Sequence, residues 1–244
     1  CLAGFFIGSA GLWMRRELRE TPVFEKLKAA GALGDNPLRE AIQQVPWRMV
    51  HAGLLSVLVG GGFYLLFVWW PTMLGQYLHP HVHEPMLLNS IFLLLLIALI
   101  PLAGHLSDRW GRKPILVASA AGMVLAAFPL FLLVERGGLF SVVFAQFCFT
   151  VLMGLFLGPI PATLVDLFPG RLRYSAIGLS YNISLSIFGG TAPAVATWLV
   201  LRYDDVSAPA FYLVGMAIIS LLAARRLPDA PRKGCGSGSA LRNR

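Results

Sequence analysis

The sequence predicts an all-α membrane protein, with six complete transmembrane helices preceded by the end of another. Three observations carry that expectation. Of 244 residues, 57% are hydrophobic and only 13% charged, too little polar surface to clothe a soluble globule of this size. The apolar residues come in blocks of about 20, the number that crosses ~30 Å of hydrocarbon as a helix. The basic residues, finally, alternate between strong and weak from one linker to the next in a single pattern. Such blocks argue against a β-barrel, whose strands would read as short alternating runs.

Taken in order, residues 1–14 are apolar but too short to span, and they read as the end of a helix that starts upstream. A secretory leader would place its basic residues first, whereas Arg15, Arg16 and Arg19 follow the apolar run. Residues 15–46 form a basic linker with an amphipathic stretch at 21–30. The complete spans are expected at 47–72, 86–106, 114–134, 139–165, 174–201 and 208–224, within a bundle of residues 47–227. Residues 228–244, rich in Gly, Ser and basic side chains, are expected to form a disordered tail.

The linkers fix an orientation. Lys26, Lys28 and Arg39 precede the first complete span, while residues 73–85 hold no Lys or Arg. Arg109, Arg112 and Lys113 then fall on the basic side, Arg136 opposite, Arg171 and Arg173 basic, Arg202 opposite, and Arg225, Arg226, Arg232 and Lys233 basic again. Positive charge marks the cytoplasmic face, so the C-terminus is expected there.

Several function classes are set aside by what the chain carries. The net charge of +8 sits beside apolar blocks rather than in a stripe with interleaved aromatics, so nucleic acid is not an expected partner. Cys1, Cys148 and Cys235 have no CxxC spacing, and no metal site or cofactor is implied. His79, His81, His83 and Glu84 alternate in an outer linker; a solvated loop is favoured over a metal or pH-sensing site, because Pro80 and Pro85 disfavour a regular strand. There is no phosphate-cradling glycine loop for ATP, nor the paired carboxylates or nucleophile at membrane depth that an enzyme would need.

Between the second and third complete spans lies Gly104-His105-Leu106-Ser107-Asp108-Arg109-Trp110-Gly111-Arg112-Lys113-Pro114. Gly104 would let a neighbouring helix approach, Asp108 cap or pair, Gly111 permit a tight bend, and Pro114 open the next helix. Arg109 and Arg112 can reach a carboxylate on a neighbouring helix end. This segment resembles the G-x-L-[SA]-D-[RK]-x-G-R-[RK] signature of the major facilitator superfamily. Arg16-Glu17-Leu18-Arg19-Glu20-Thr21-Pro22-Val23-Phe24, Asp166-Leu167-Phe168-Pro169-Gly170-Arg171-Leu172-Arg173-Tyr174 and Phe188-Gly189-Gly190-Thr191-Ala192-Pro193 are similar to elements of its metabolite:proton symporter family, which includes proline/betaine, citrate, α-ketoglutarate and shikimate permeases. Asp166 and Gly170 depart from the glutamate and threonine usual there.

The resemblance implies that residues 1–14 end helix six and the complete spans are helices seven to twelve, the C-terminal six-helix half of a transporter. It implies proton-coupled symport of a small organic acid, zwitterion or osmolyte across the bacterial inner membrane by alternating access, with the lipid bilayer and a missing N-terminal six-helix half as partners. One half alone is not expected to transport. Other readings are a sugar or drug facilitator, a non-transporting membrane sensor, or a half-length chain that dimerises. The cytoplasmic gate implied is Gly104, Asp108, Arg109, Gly111, Arg112, Asp166 and Arg173, with Asp166 pairing with Arg173 or Arg109; Gly189, Gly190 and Pro193 are implied to pack helices.

From the residues themselves, Tyr64, Asn89, Gln146, Tyr181 and Asn182 are the candidates for a solute cavity, because unpaired polar groups are expensive at membrane depth. Gluing helices together is the competing role for each. Gly60-Gly61-Gly62 weaken the first complete span, as in transporter helices that line cavities; alternatively its aromatics pack on neighbours, with Trp69, Trp70 and Tyr77 as an interfacial belt. No Asp or Glu lies inside a complete span, so the proton-carrying group is expected in the other half.

Overall fold

A computed structural model describes residues 37–78, 84–170 and 172–228. The expected helix end at 1–14, the amphipathic stretch at 21–30, the histidines at 79–83 and most of the 228–244 tail lie outside the described residues. The described residues are helical with no strand. A short helix α1, Pro37–Gln44, leads into α2, Pro46–Tyr77. Then follow α3, Pro85–Trp110; α4, Arg112–Glu135; α5, Leu139–Leu167; α6, Arg173–Tyr203; and α7, Pro209–Arg225. Five of these are long and apolar enough to cross a membrane, and α7, with 17 residues, sits at the short end of the range that spans. The all-α membrane fold expected from the sequence is what the chain adopts.

Each boundary has a local cause. The α3–α4 reversal is a single residue, Gly111, at φ 95° and ψ 147°, a conformation open to glycine and strained for any other residue. Its N–H donates to Ser107 C=O at 3.0 Å, closing the end of α3. The α4–α5 turn uses Gly137 and Gly138, both at positive φ. Asp205 accepts from Ser207 N–H at 2.6 Å and from its hydroxyl at 3.0 Å, ordering the turn into α7. Within α5, Gly158-Pro159 interrupts the helix before it resumes at Ile160–Leu167, since proline has no N–H to donate.

Spans α2 to α7 run up and down, so the start of α2, the α3–α4 and α5–α6 turns and the end of α7 share one end of the bundle. His51 bonds Ala223 C=O at 2.9 Å, and Arg48 reaches Leu167 C=O at 3.4 Å there. The most buried span is α2 and the least buried is α3. Through its middle, α2 is not a regular α-helix: π turns occupy Leu58–Gly62, Tyr64–Trp69 and Met73–Tyr77. The first meets a π turn of α6, Leu185–Gly189, where a Cβ on Gly60 would stand 3.1 Å from Leu185 Cα. The glycine triplet thus lies buried at a helix crossing rather than on an open wall. Trp69 and Trp70 are likewise interior, at 2% and 0% exposure, instead of forming the interfacial belt weighed for them.

Candidate functional site

At the basic end, the reversal at Gly111 starts α4 at Arg112, so this guanidinium stands beside the last turn of α5. It donates to Ala162 C=O at 3.0 Å and to the Asp166 carboxylate, and lies 4.0 Å from Asp108. Asp166 therefore pairs with Arg112, not with Arg109 or Arg173. Arg109 is exposed in the last turn of α3, and Arg173 donates from Nε and Nη2 to Phe168 C=O, both at 3.4 Å, closing the α5–α6 turn. Both carboxylates are about two-thirds exposed, so the pair holds the helix ends together only weakly, by under ~1 kcal/mol. A weak bridge between two helix ends suits a contact that is made and broken.

Above it, α3 and α5 touch backbone to backbone. A Cβ on Gly104 would meet Gly158 C=O at an ordinary 3.9 Å, but one on Gly158 would stand 2.7 Å from Ala103 Cβ and 2.8 Å from Gly104 N and Ile100 O. The close approach expected at Gly104 thus depends on Gly158. Its signal was the Gly154-x-x-x-Gly158 spacing, a familiar close-packing pattern in membrane helices.

The five cavity candidates separate into two groups. Asn89 and Gln146, 7% and 1% exposed, sit inside the bundle. Asn89 Nδ2 donates to Phe67 C=O at 2.9 Å, Gln146 Nε2 donates to Asn89 Oδ1 at 3.1 Å, and Thr150 Oγ1 donates to Gln146 C=O at 2.6 Å. This chain ties α2, α3 and α5 together. A double-mutant cycle of Asn89→Ala and Gln146→Ala, read by unfolding in detergent, should give a coupling of about 0.6–1.7 kcal/mol. Additive effects would show that the two amides do not act through one another.

Tyr64, Tyr181 and Asn182 lie where α2 meets α6. Tyr64 and Tyr181 are half-buried neighbours, and the Tyr64 ring covers Gly189, where a Cβ would come within 3.1 Å of it. A Cβ on Gly190 would meet nothing within 4 Å, so the packing contact falls on Gly189; Pro193 is half-buried within α6. Asn182 is exposed and donates to Gly178 C=O at 2.7 Å. With Tyr174, Ser175, Gly178 and Ser186 it lines an open hollow of about 740 Å³ along α6. Exposed amide and hydroxyl groups halfway along a span are unsuited to lipid tails, and they call for water or another protein surface.

Among the described residues, no three His, Cys, Asp or Glu side chains gather to hold a metal ion. Fold and site define a multi-pass, all-helical membrane protein with one polar helix face and a charged contact between helix ends at its basic side. Residues 52–241 match the Major Facilitator Superfamily, so the chain belongs to that superfamily. It is 30% identical over 222 residues to a putative proline/betaine transporter of Staphylococcus aureus (strain COL), covering 91% of this chain and 48% of the relative. It is 29% identical over 243 residues to the proline/betaine transporter of Salmonella typhimurium, covering 93% and 48%. It is 31% identical over 236 residues to a glycine betaine/proline/ectoine/pipecolic acid transporter of Dickeya dadantii, covering 93% and 47%. The chain spans about half the length of these curated relatives.

Proposed function

We propose that this chain supplies one wall of the solute path in a secondary transporter, the C-terminal six-helix half that works against an N-terminal half. The polar face of α6 carries the proposal: Asn182 and Ser186 are exposed on a membrane span, where they would be costly against lipid and useful against a hydrated solute. The solute is a small organic acid, zwitterion or osmolyte; relatives bearing proline and betaine in their names favour the zwitterion. Tyr64, Tyr181 and Asn182 face it, whereas Asn89 and Gln146 brace the bundle behind them.

Transport runs with a proton by alternating access, and the Arg112–Asp166 contact closes the cytoplasmic side. The described Asp and Glu residues all stand in linkers or at helix ends, so the proton carrier belongs to the other half. The basic end of the bundle faces the cytoplasm of a bacterial inner membrane. In this reading residues 1–14 end the preceding helix, residues 15–46 link the halves, residues 47–227 form the bundle, and residues 228–244 form a cytoplasmic tail.

The test is uptake in right-side-out vesicles, comparing this chain alone with the chain fused to the first half of a proline/betaine relative. Proline, betaine, citrate, α-ketoglutarate and shikimate are the solutes to compare. The fusion should accumulate proline or betaine, and a protonophore should abolish the accumulation. Accumulation by the chain alone, or none by a fusion that inserts correctly, would overturn the reading.

A further inference from the structure

The middle of α2 departs from α-helical geometry at Leu58, and a side chain of another helix stands at that point. Ser220 of α7 is fully buried. Its hydroxyl lies 3.1 Å from Leu54 C=O and 3.3 Å from Leu55 C=O, while Leu58 N–H donates to Ser220 Oγ at 3.0 Å. In an uninterrupted helix Leu58 N–H would donate directly to Leu54 C=O. Here Ser220 has entered the ladder: it accepts from the amide and donates to the carbonyl that would otherwise bond each other. The π turn Leu58–Gly62 begins at the interrupted bond. Insertion of a polar group into the ladder is an established cause of local helix distortion.

We infer that Ser220 is a positioning residue that holds α2 in its π-turned register. Glycines 60 to 62 make the distortion easy, but they do not choose where it starts; the hydroxyl does. One extra residue in a turn rotates everything after it by about 100° relative to a continuous α-helix. Three contacts depend on that phase, the two at Phe67 and Trp69 together with the second π turn, Tyr64–Trp69, that follows it. Gly60 meets Leu185 and Gly189 of α6, Phe67 C=O accepts from Asn89, and Trp69 Nε1 donates to Thr197 Oγ1 at 2.9 Å. Tyr64, between them, is turned toward Gly189 for the same reason. Its consequence for the solute path rests on the transporter reading; the register itself does not.

The test reads register without reading transport. In the full chain, with Cys1, Cys148 and Cys235 changed to serine, Trp69→Cys and Thr197→Cys are joined by a short bifunctional thiol reagent in native membranes. A second pair, Phe128→Cys of α4 with Phe211→Cys of α7, whose rings lie 5.2 Å apart, reports whether the bundle is intact. Ser220→Ala should lower the first cross-link by about fivefold or more, the effect of losing an interhelical hydrogen bond of ~1 kcal/mol, and leave the second unchanged. Ser220→Thr, which keeps the hydroxyl, should restore the first cross-link. An unchanged first cross-link in Ser220→Ala, a threonine variant that behaves like alanine, or equal loss of both cross-links would each overturn the inference.

Discussion

Gly158→Leu should lower the melting temperature in detergent by about 6–12 °C, corresponding to roughly 3 kcal/mol, the upper part of the range for overpacking. The reason is what stands around the glycine. A Cβ there would lie 2.8 Å from Gly104 N and Ile100 O, which are backbone atoms and cannot swing aside as a side-chain end can. Even alanine must push α3 away from α5, so Gly158→Ala should be measurably destabilised as well. Gly104→Ala, whose new methyl would find 3.9 Å of clearance, is the control and should melt close to the parent. Displacing α3 should also separate the Arg112–Asp166 contact, because α5 resumes toward Asp166 just past Gly158. Equal melting of parent and Gly158→Leu would show that the two helices do not touch as described.

Trp70→Ala is the second large effect, an expected loss of about 3–5 kcal/mol from emptying a packed aromatic site. Trp70 is fully buried, edge-on to Phe131 of α4 at 5.2 Å and to Phe149 of α5 at 5.5 Å, and those two rings lie 5.8 Å apart. One side chain thus binds three spans. Its indole Nε1 is buried with no partner among the described residues, so nothing polar is lost with it. Trp70→Phe should therefore sit within about 1.5 kcal/mol of the parent, since it keeps ring packing and removes an unsatisfied donor. Unfolding in a graded detergent mixture separates the two variants. An alanine variant as stable as the phenylalanine variant would mean that the aromatic cluster does not hold the bundle.

Much of this was readable from residue order alone. Blocks of apolar residues long enough to span, with basic linkers alternating between them, are a one-dimensional consequence of the bilayer, so five spans were recognisable as helices without any contact information. Gly111 was recognisable because its turn must be short and only glycine adopts such backbone angles freely. The ends were less legible: α2 continues to Tyr77 past the expected 72, because its outer turns keep packing on neighbouring helices after the most apolar stretch has ended.

The composition and linear pattern determined that this chain is a bundle of membrane helices, because hydrophobic length, charge alternation and turn chemistry act along the chain; the facilitator kind entered through the resemblance of residues 104–114 to that superfamily's signature and the match over residues 52–241. The tertiary structure alone decided which charge pairs with Asp166, which glycine is indispensable at the α3–α5 crossing, and which polar residues face outward. Arg112 rather than Arg173 takes Asp166 because the Gly111 reversal puts it beside α5, and Gly158 rather than Gly104 carries the crossing because a neighbouring backbone lies over its Cα. Asn89 and Asn182 are equally polar in the sequence, yet one braces three helices and the other stands in the open. That distinction comes from the rotation of each helix about its axis, which depends on contacts between residues far apart in the chain, such as Ser220 with Leu58.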